Sequence, residues 1–322
     1  MYPLIFKPIL KEMIWGGTSI RPFKGMNPSD VKTGESWELS HVEGNYSVVA
    51  NGALAGLTID DLIDTYGAQL VGDKVIRRFG RTFPLLIKWI DACDNLSVQV
   101  HPDDAMADTR HHSWGKTEMW YVVKASPGAA LYSGFSQSID SDEYERRLAD
   151  NRIMDVLKRY DVKAGDVFFL PAGRVHAIGA GCLIAEIQQT SDITYRIYDY
   201  NRKDANGKYR DLHTDLAKEA IDYTVCPDYR TAYTPQPNHV VPLASCNYFT
   251  VNLLELNLPA ERDCTTLNSF IVYVCTQGKA TLRDDRLNGI TIHQGQTVLI
   301  SAETKKISLL PEPQVTLLEA YI

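Results

Sequence analysis

The chain has 322 residues, 44% of them hydrophobic, and a formal net charge of -7. That composition excludes the disordered and low-complexity classes and leaves ample chain for one large or two modest cores. The acidic balance argues against a nucleic-acid partner, which would want a basic stripe. No apolar run approaches the roughly 18–20 residues that span a bilayer, and "MYPLIFKPILKEMIWGG" lacks the layout of a secretory signal, so no membrane partner is expected. The cysteines Cys93, Cys182, Cys226, Cys246, Cys264 and Cys275 form no CxxC pair. They read as reduced thiols of a cytoplasmic protein.

In chain order, "TIDDLIDTYGAQLVG" (58–72) is expected as a helix capped by Thr58. Strand-like runs follow at 83–92, 96–100, 118–125, 129–135, 166–172, 182–189 and 194–200, short, β-branched or aromatic, and bounded by Gly, Pro and Asp. Two further stretches have helical spacing, 141–160, with a break expected near Asp150-Asn151, and 211–223. The proline-rich segment 224–242 reads as a domain connection. Beyond it, "YFTVNLLELN", "SFIVYVCTQGKATLR", "GQTVLIS", "KISLL" and "VTLLEAYI" are strand-like. The expectation is a mainly β protein with two domains, 1–235 and a smaller 236–322.

In "SVQVHPDD" (97–104), Ser97, Gln99 and His101 alternate with Val98 and Val100. Successive strand side chains point to opposite faces, so the three polar groups share one side. That side is either a solvent-facing edge or part of a site.

The stretch "GDVFFLPAGRVHAIGAG" (165–181) carries Gly165, Pro171, Gly173 and His176 in a spacing that resembles the second motif of the cupin β-barrels. In that family the histidine points into the barrel at a metal. The resemblance implies a double cupin-like, jelly-roll architecture with a few helices inserted in or packed on the N-terminal barrel. The first cupin motif usually supplies His-x-His and a glutamate; here Gln99-x-His101 and Glu118 stand in its place. Imidazole and carboxylate ligands suit Zn²⁺ or another borderline divalent ion. A glutamine ligand counts against an oxygenase, which typically uses two histidines and a carboxylate. In the second domain the same frame falls on Gly295, Ser301, Glu303 and Lys306, which implies a degenerate barrel without a metal.

The blocks "WGG", "GESWELS" (34–40), "LIKWIDACDNLSVQVHPDD" (86–104), "GKTEMWYVV" (115–123) and "EIQQTSDITYRIYDYNR" (186–202) resemble, in order, type I mannose-6-phosphate isomerases of the short bacterial form. The resemblance implies one zinc held by Gln99, His101, Glu118 and His176. It implies catalytic roles for Arg196 and Lys116, and a sugar-phosphate pocket containing Lys88, Ser97 and Asp192. Where longer relatives carry a lysine, this chain has Arg202, which keeps the charge but not the geometry. Lys88 and Ser97 rank first as phosphate donors.

The implied reaction moves a proton between C2 and C1 of mannose 6-phosphate and fructose 6-phosphate. A cation near O1 and O2 stabilises the enediolate between them. His, Glu, Lys and metal-bound hydroxide are all open as the base. The rival reading is a cupin that binds metal and a sugar or sugar phosphate without catalysis. A monomer or weak homo-oligomer is expected. Trp15, Trp37, Trp114 and Trp120 are expected in the core or pocket wall, His111 and His112 in a solvated loop. Alternation puts one of Glu35 and Glu38 inward, with no role assigned.

Overall fold

The computed structural model describes residues 1–203 and 206–322. The N-terminal two-thirds forms two antiparallel sheets facing each other. One sheet has strands in the order Val167–Leu170, Glu118–Ala125, Cys182–Gln189, Leu85–Ala92, Ile9–Gly17 and Thr33–Leu39. The other runs Leu157–Asp161, Ala130–Phe135, His176–Ile178, Val98–Val100, Tyr195–Tyr198. Strand alternation gives each sheet an inner and an outer face. Between them lies a core of Trp15, Ile90, Trp120, Val122, Leu131, Phe168 and Ile184.

The outer faces are buried as well. Ile87, Trp89, Met119, Tyr121 and Ile187 of the first sheet pack on Val251, Leu253, Phe270, Val272 and Leu318 of the C-terminal region. Val98, Val100, Ala177 and Ile197 of the second sheet are covered by Tyr144, Ile153, Ala217 and Ile221. A strand with both faces buried can carry polar side chains only where something satisfies them. Ser97, Gln99 and His101 therefore do not form a solvent edge.

The C-terminal region supplies seven of the described strands of one eight-stranded antiparallel sheet. Its two long strands, Ile271–Asp284 and Lys306–Tyr321, pair along most of their length. Register shifts near Cys275/Gln277 and Gly278/Ala280 mark bulges, which bend a sheet and let this one fold over its own core of Leu254, Tyr273, Leu282, Ile292, Val298 and Leu317. Leu4–Ile5 adds an edge strand to this sheet through Leu299 and Val298. Together the two parts make the mainly β, double cupin-like architecture with few helices that the sequence implied.

Three local expectations are revised. The helix capped by Thr58 forms, with Thr58 and Asp61 in a reciprocal capping box, but it ends at Tyr66; Gly67 turns the chain into a separate turn at Ala68–Val71. The stretch 141–160 is α-helical over Ser141–Ala149, breaks at Asp150-Asn151 as expected, and resumes only as a short 3-10 turn at Ile153–Val156. Asn151 adopts a left-handed φ of 56° and ends the α-helix, and Leu157–Asp161 then pairs as a strand with Ala130–Phe135. The connection after His101 contains a helix, Asp104–His111, capped by the Asp103 side chain. Thr214–Ala220 lies within the third expected helix.

In the C-terminal region, Lys306 is exposed, and Glu303 pairs with the N-terminal amine and Arg286. Inside that barrel Glu319 accepts hydrogen bonds from Arg262, Tyr273 and Asn252. The polar centre there is internally satisfied. Among the described residues, no helix is long and apolar enough to cross a membrane.

Candidate metal centre and active site

Strand register assembles the centre. His176 lies opposite Gln99 on one neighbouring strand, and Gln99 lies opposite Arg196 on the next. The three form one row across the sheet and project from one face. The facing sheet contributes a second row, Trp120, Glu186, Lys88 and Trp37, each opposite the next. Glu118, two residues before Trp120, shares its face. Pro102 follows His101 at the strand end, and the His101 carbonyl is fixed by the Gly173 N–H at 2.9 Å. Gly173 has φ 86°, which a glycine adopts without strain.

The ligand atoms of His101, Glu118 and His176 lie within 4.8 Å of one another, and all three residues are buried. Each imidazole is oriented by its Nδ1. That of His101 lies 2.9 Å from the Ile193 carbonyl, that of His176 2.8 Å from the Arg174 carbonyl. Such bonds fix the tautomer and leave Nε2 free to ligate. Those Nε2 atoms sit 3.5 and 3.4 Å from the two Glu118 oxygens. Gln99 Nε2 is 3.2 Å from His176 Nε2, so its amide reaches the same point.

Glu118 is fully buried, yet its Oε1 receives no hydrogen bond. A buried carboxylate oxygen without a partner is costly, and a cation between the three side chains would satisfy it. The residues present thus fit a divalent metal ion.

The charges around it divide into two sets. Lys116 Nζ is 3.0 Å from Glu118 and 3.1 Å from His101 Nε2. Lys88 Nζ is 2.8 Å from Glu186 and 3.8 Å from Glu35. Burial alone would push the Lys88 ammonium down, but Glu186 and then Glu35 hold it above its usual range. Burial would likewise raise Glu186, but Lys88 and then Lys116 keep it below the ordinary carboxylate value, with the Trp120 indole N–H donating at 2.7 Å. Glu118 goes the other way: burial and then the Glu186 charge push it up to about 7. Burial drives His176 down to about 3, and burial with Lys116 and His176 drives His101 well below its usual value.

This gives a pH prediction. Both histidines are already neutral at moderate pH, so Glu118 is the ligand that must shed a proton to bind a cation. Affinity should weaken as pH falls through about 7, by about tenfold per unit, with one proton exchanged. Metal titrations between about pH 5 and 8 check this; a slope of two protons would contradict it.

Above the centre opens a cavity of about 450 Å³ lined by Lys11, Trp15, Glu35, Trp37, Lys88, Ser97, Gln99, Lys116, Glu186, Asp192, Thr194, Arg196 and Arg210. Of the expected site residues, Lys88, Ser97, Gln99, Lys116, Asp192 and Arg196 line it, and His101, Glu118 and His176 lie next to its Gln99 and Lys116. Arg202 does not. It is tied to Asp199, Asp94 and the Asn95 carbonyl instead. A larger, open cleft of about 830 Å³ passes Asp104, His111, Trp114 and Asp192, where His111 meets the Tyr195 hydroxyl at 2.8 Å. It holds no buried ionisable cluster.

Glu186 and Arg210 were passed over by the sequence reading, and Glu35 was given no role. Glu186 had a legible signal, a lone acid in the apolar run "CLIAEIQQ" on the face of Ile184. Glu35 accepts from the Trp37 indole at 2.6 Å and faces the cavity. Glu38 is buried on the other side with Lys24 at 2.6 Å. Replacing Lys88 with methionine would leave Glu186 and Glu35 short of a cation. A loss of about 3–5 kcal/mol is expected, measured as a shift in denaturant midpoint; a loss under about 1 kcal/mol would show the pair to be solvated.

A cupin-type double barrel with a buried, metal-competent His-Glu-His cluster among the described residues, beside Gln99 at a charged cavity, is the class that fold and site define. Residues 4–121 match the family described as phosphomannose isomerase type I, catalytic domain. The chain is 37% identical over 286 residues to mannose-6-phosphate isomerase ManA of Bacillus subtilis, covering 87% of each chain. It is 34% identical to the mannose-6-phosphate isomerase of Streptococcus mutans, again over 87% of each. The crystal structure of the Bacillus subtilis mannose 6-phosphate isomerase superposes with a TM-score of 0.90 over all of both chains, at 29% identity. The chain belongs to the type I mannose-6-phosphate isomerase family.

Proposed function

We propose that the protein is a zinc-dependent aldose–ketose isomerase interconverting D-mannose 6-phosphate and D-fructose 6-phosphate. One observation carries the reading: three buried ligand side chains, one with an unpartnered carboxylate oxygen, converge beside a cavity lined by fixed cations and carboxylates. The names of the relatives supply the substrate. The donor set of two imidazoles, a carboxylate and an amide is compatible with zinc.

When bound, the ion would supply Lewis-acid polarisation of the sugar's O1 and O2. The side chains do the rest. Arg196 stands next to Gln99 in register and offers a fixed guanidinium to negative charge developing on those oxygens. Lys116 holds a second cation beside Glu118 and His101. Glu186, kept ionised by Lys88 and Lys116, presents a carboxylate where a proton moving between C2 and C1 can be held. Ser97 and Asp192 line the cavity and can hydrogen-bond the sugar. We infer a cytoplasmic enzyme acting on a free sugar phosphate.

The test against a non-catalytic binding cupin is isotopic. Incubation of mannose 6-phosphate with the protein in D₂O should give fructose 6-phosphate carrying deuterium at C1, fully or in part. Unchanged mannose 6-phosphate, bound but neither isomerised nor exchanged, would establish the binding module instead.

A further inference from the structure

The charged groups in and beside the cavity fall into two sets. In the first, two ammonium groups, Lys88 and Lys116, face three carboxylates, Glu35, Glu118 and Glu186. Lys88 is therefore already matched and has little charge left for a phosphate. In the second, Arg202 and Arg210 both bind one buried carboxylate, Asp199. Arg196 is close enough to Arg210 that, after burial itself, Arg210 is the main influence weakening its hold on a proton. The other described acids of this set, Asp94 on Arg202, Asp192 and Asp211, are exposed. Asp199 is its buried carboxylate.

The two outer arginines are not equivalent. Arg202 is turned away from the cavity, bound to Asp94 and Asn95 and stacked on Tyr200. Arg210 lines the cavity. Its Nε and Nη2 both bind Asp199, a two-point grip that fixes the guanidinium plane. Its Nη1 has no hydrogen-bond partner among the described residues. The segment after it is clamped beside Arg196: the Asp211 carbonyl accepts from Arg196 Nη1 at 2.8 Å, and the His213 N–H donates to the Arg196 carbonyl at 2.7 Å. Arg196 Nε is itself buried without a partner.

We propose that Arg210 is a phosphate-binding residue of this enzyme, taking the place that sequence position gave to Arg202. Resting on the isomerase reading above, it orients the substrate with its reacting carbons at Gln99 and Arg196 and its phosphate at Arg210. Asp199 is the positioning residue that holds the fork in place.

The test measures steady-state kinetics with mannose 6-phosphate, inhibition by inorganic phosphate, and metal content. Arg210→Gln should raise KM by on the order of 10–100-fold, weaken phosphate inhibition by a similar factor, and leave kcat within about threefold and the metal content intact. Arg210→Lys should recover part of the affinity, and Arg202→Gln should raise KM less than Arg210→Gln does. An unchanged KM in Arg210→Gln, a larger effect from Arg202→Gln, or a fall confined to kcat would each overturn the proposal. Should the wild type prove inactive, the isomerase reading fails alone, and the anion site is read from thermal unfolding with inorganic phosphate. Stabilisation of wild type but not Arg210→Gln supports it; equal stabilisation of both overturns it.

Discussion

Replacing His176 with alanine is expected to remove the divalent ion and the isomerase activity together. The imidazole is one of three buried ligand groups, and its Nδ1 is fixed by the Arg174 carbonyl so that only Nε2 faces the centre. No described side chain stands ready to replace it; Gln99 already reaches the same point and Lys116 carries no lone pair while protonated. Loss of an outer partner to a metal ligand costs about 10–100-fold in affinity, and loss of the ligand itself should exceed that. His101→Ala should behave alike. Elemental analysis of the purified variants, beside their activity, is the check. Full metal content in both would remove these histidines from the ligand set. With a ligand lost, both variants should also respond less to added metal in thermal unfolding.

Arg196→Ala should separate binding from turnover. Arg196 lies beside Gln99 but is not a ligand, and its guanidinium hangs on the Asp211 carbonyl rather than on the metal-binding residues. The variant should keep its metal and fold. Turnover should fall by about 10²–10³, the cost of removing one preorganised donor to a developing oxyanion. Loss of metal along with activity would make Arg196 a structural support of the centre, and near-normal turnover would remove it from the chemistry.

The four residues proposed as metal ligands were legible because each stands in a short pattern that constrains the backbone. The Gly165, Pro171, Gly173 frame turns the chain before His176, and the alternation of "SVQVH" places Gln99 and His101 on one face. Glu186 was harder to see because "CLIAEIQQ" satisfies the apolar pattern of a buried strand, and the residues that make its charge tolerable, Lys88 and Trp120, belong to neighbouring strands. Arg210 sits in a polar stretch without periodicity; only the fold brings it beside Arg196. Of the strands Ile9–Gly17 and Thr33–Leu39, which carry Lys11, Trp15, Glu35 and Trp37 to the cavity wall, the first was recognised only through its "WGG" block and the second only through the "GESWELS" block and the alternation of Glu35 and Glu38 within it.

The misread helix after Asn151 has a local cause. Leu157 and Tyr160 are three apart, which fits a helix face, while Leu157 and Tyr160 are both buried here only because a bulge between Leu157 and Arg159 shifts the strand's facing. A tertiary pairing with Ala130–Phe135 overrode the spacing. The short helix Asp104–His111 was missed for the opposite reason: it is polar almost throughout and buries only Ala107 fully, so it is specified by its Asp103 cap more than by an apolar stripe.

The most direct test joins the metal to the reaction. Conversion of mannose 6-phosphate to fructose 6-phosphate should be measured on the purified protein as isolated, after exhaustive chelation, and after return of zinc. The account predicts activity with close to one ion per chain, loss of both on chelation, and recovery of both when zinc returns. Undiminished conversion by protein shown to be free of metal would contradict it.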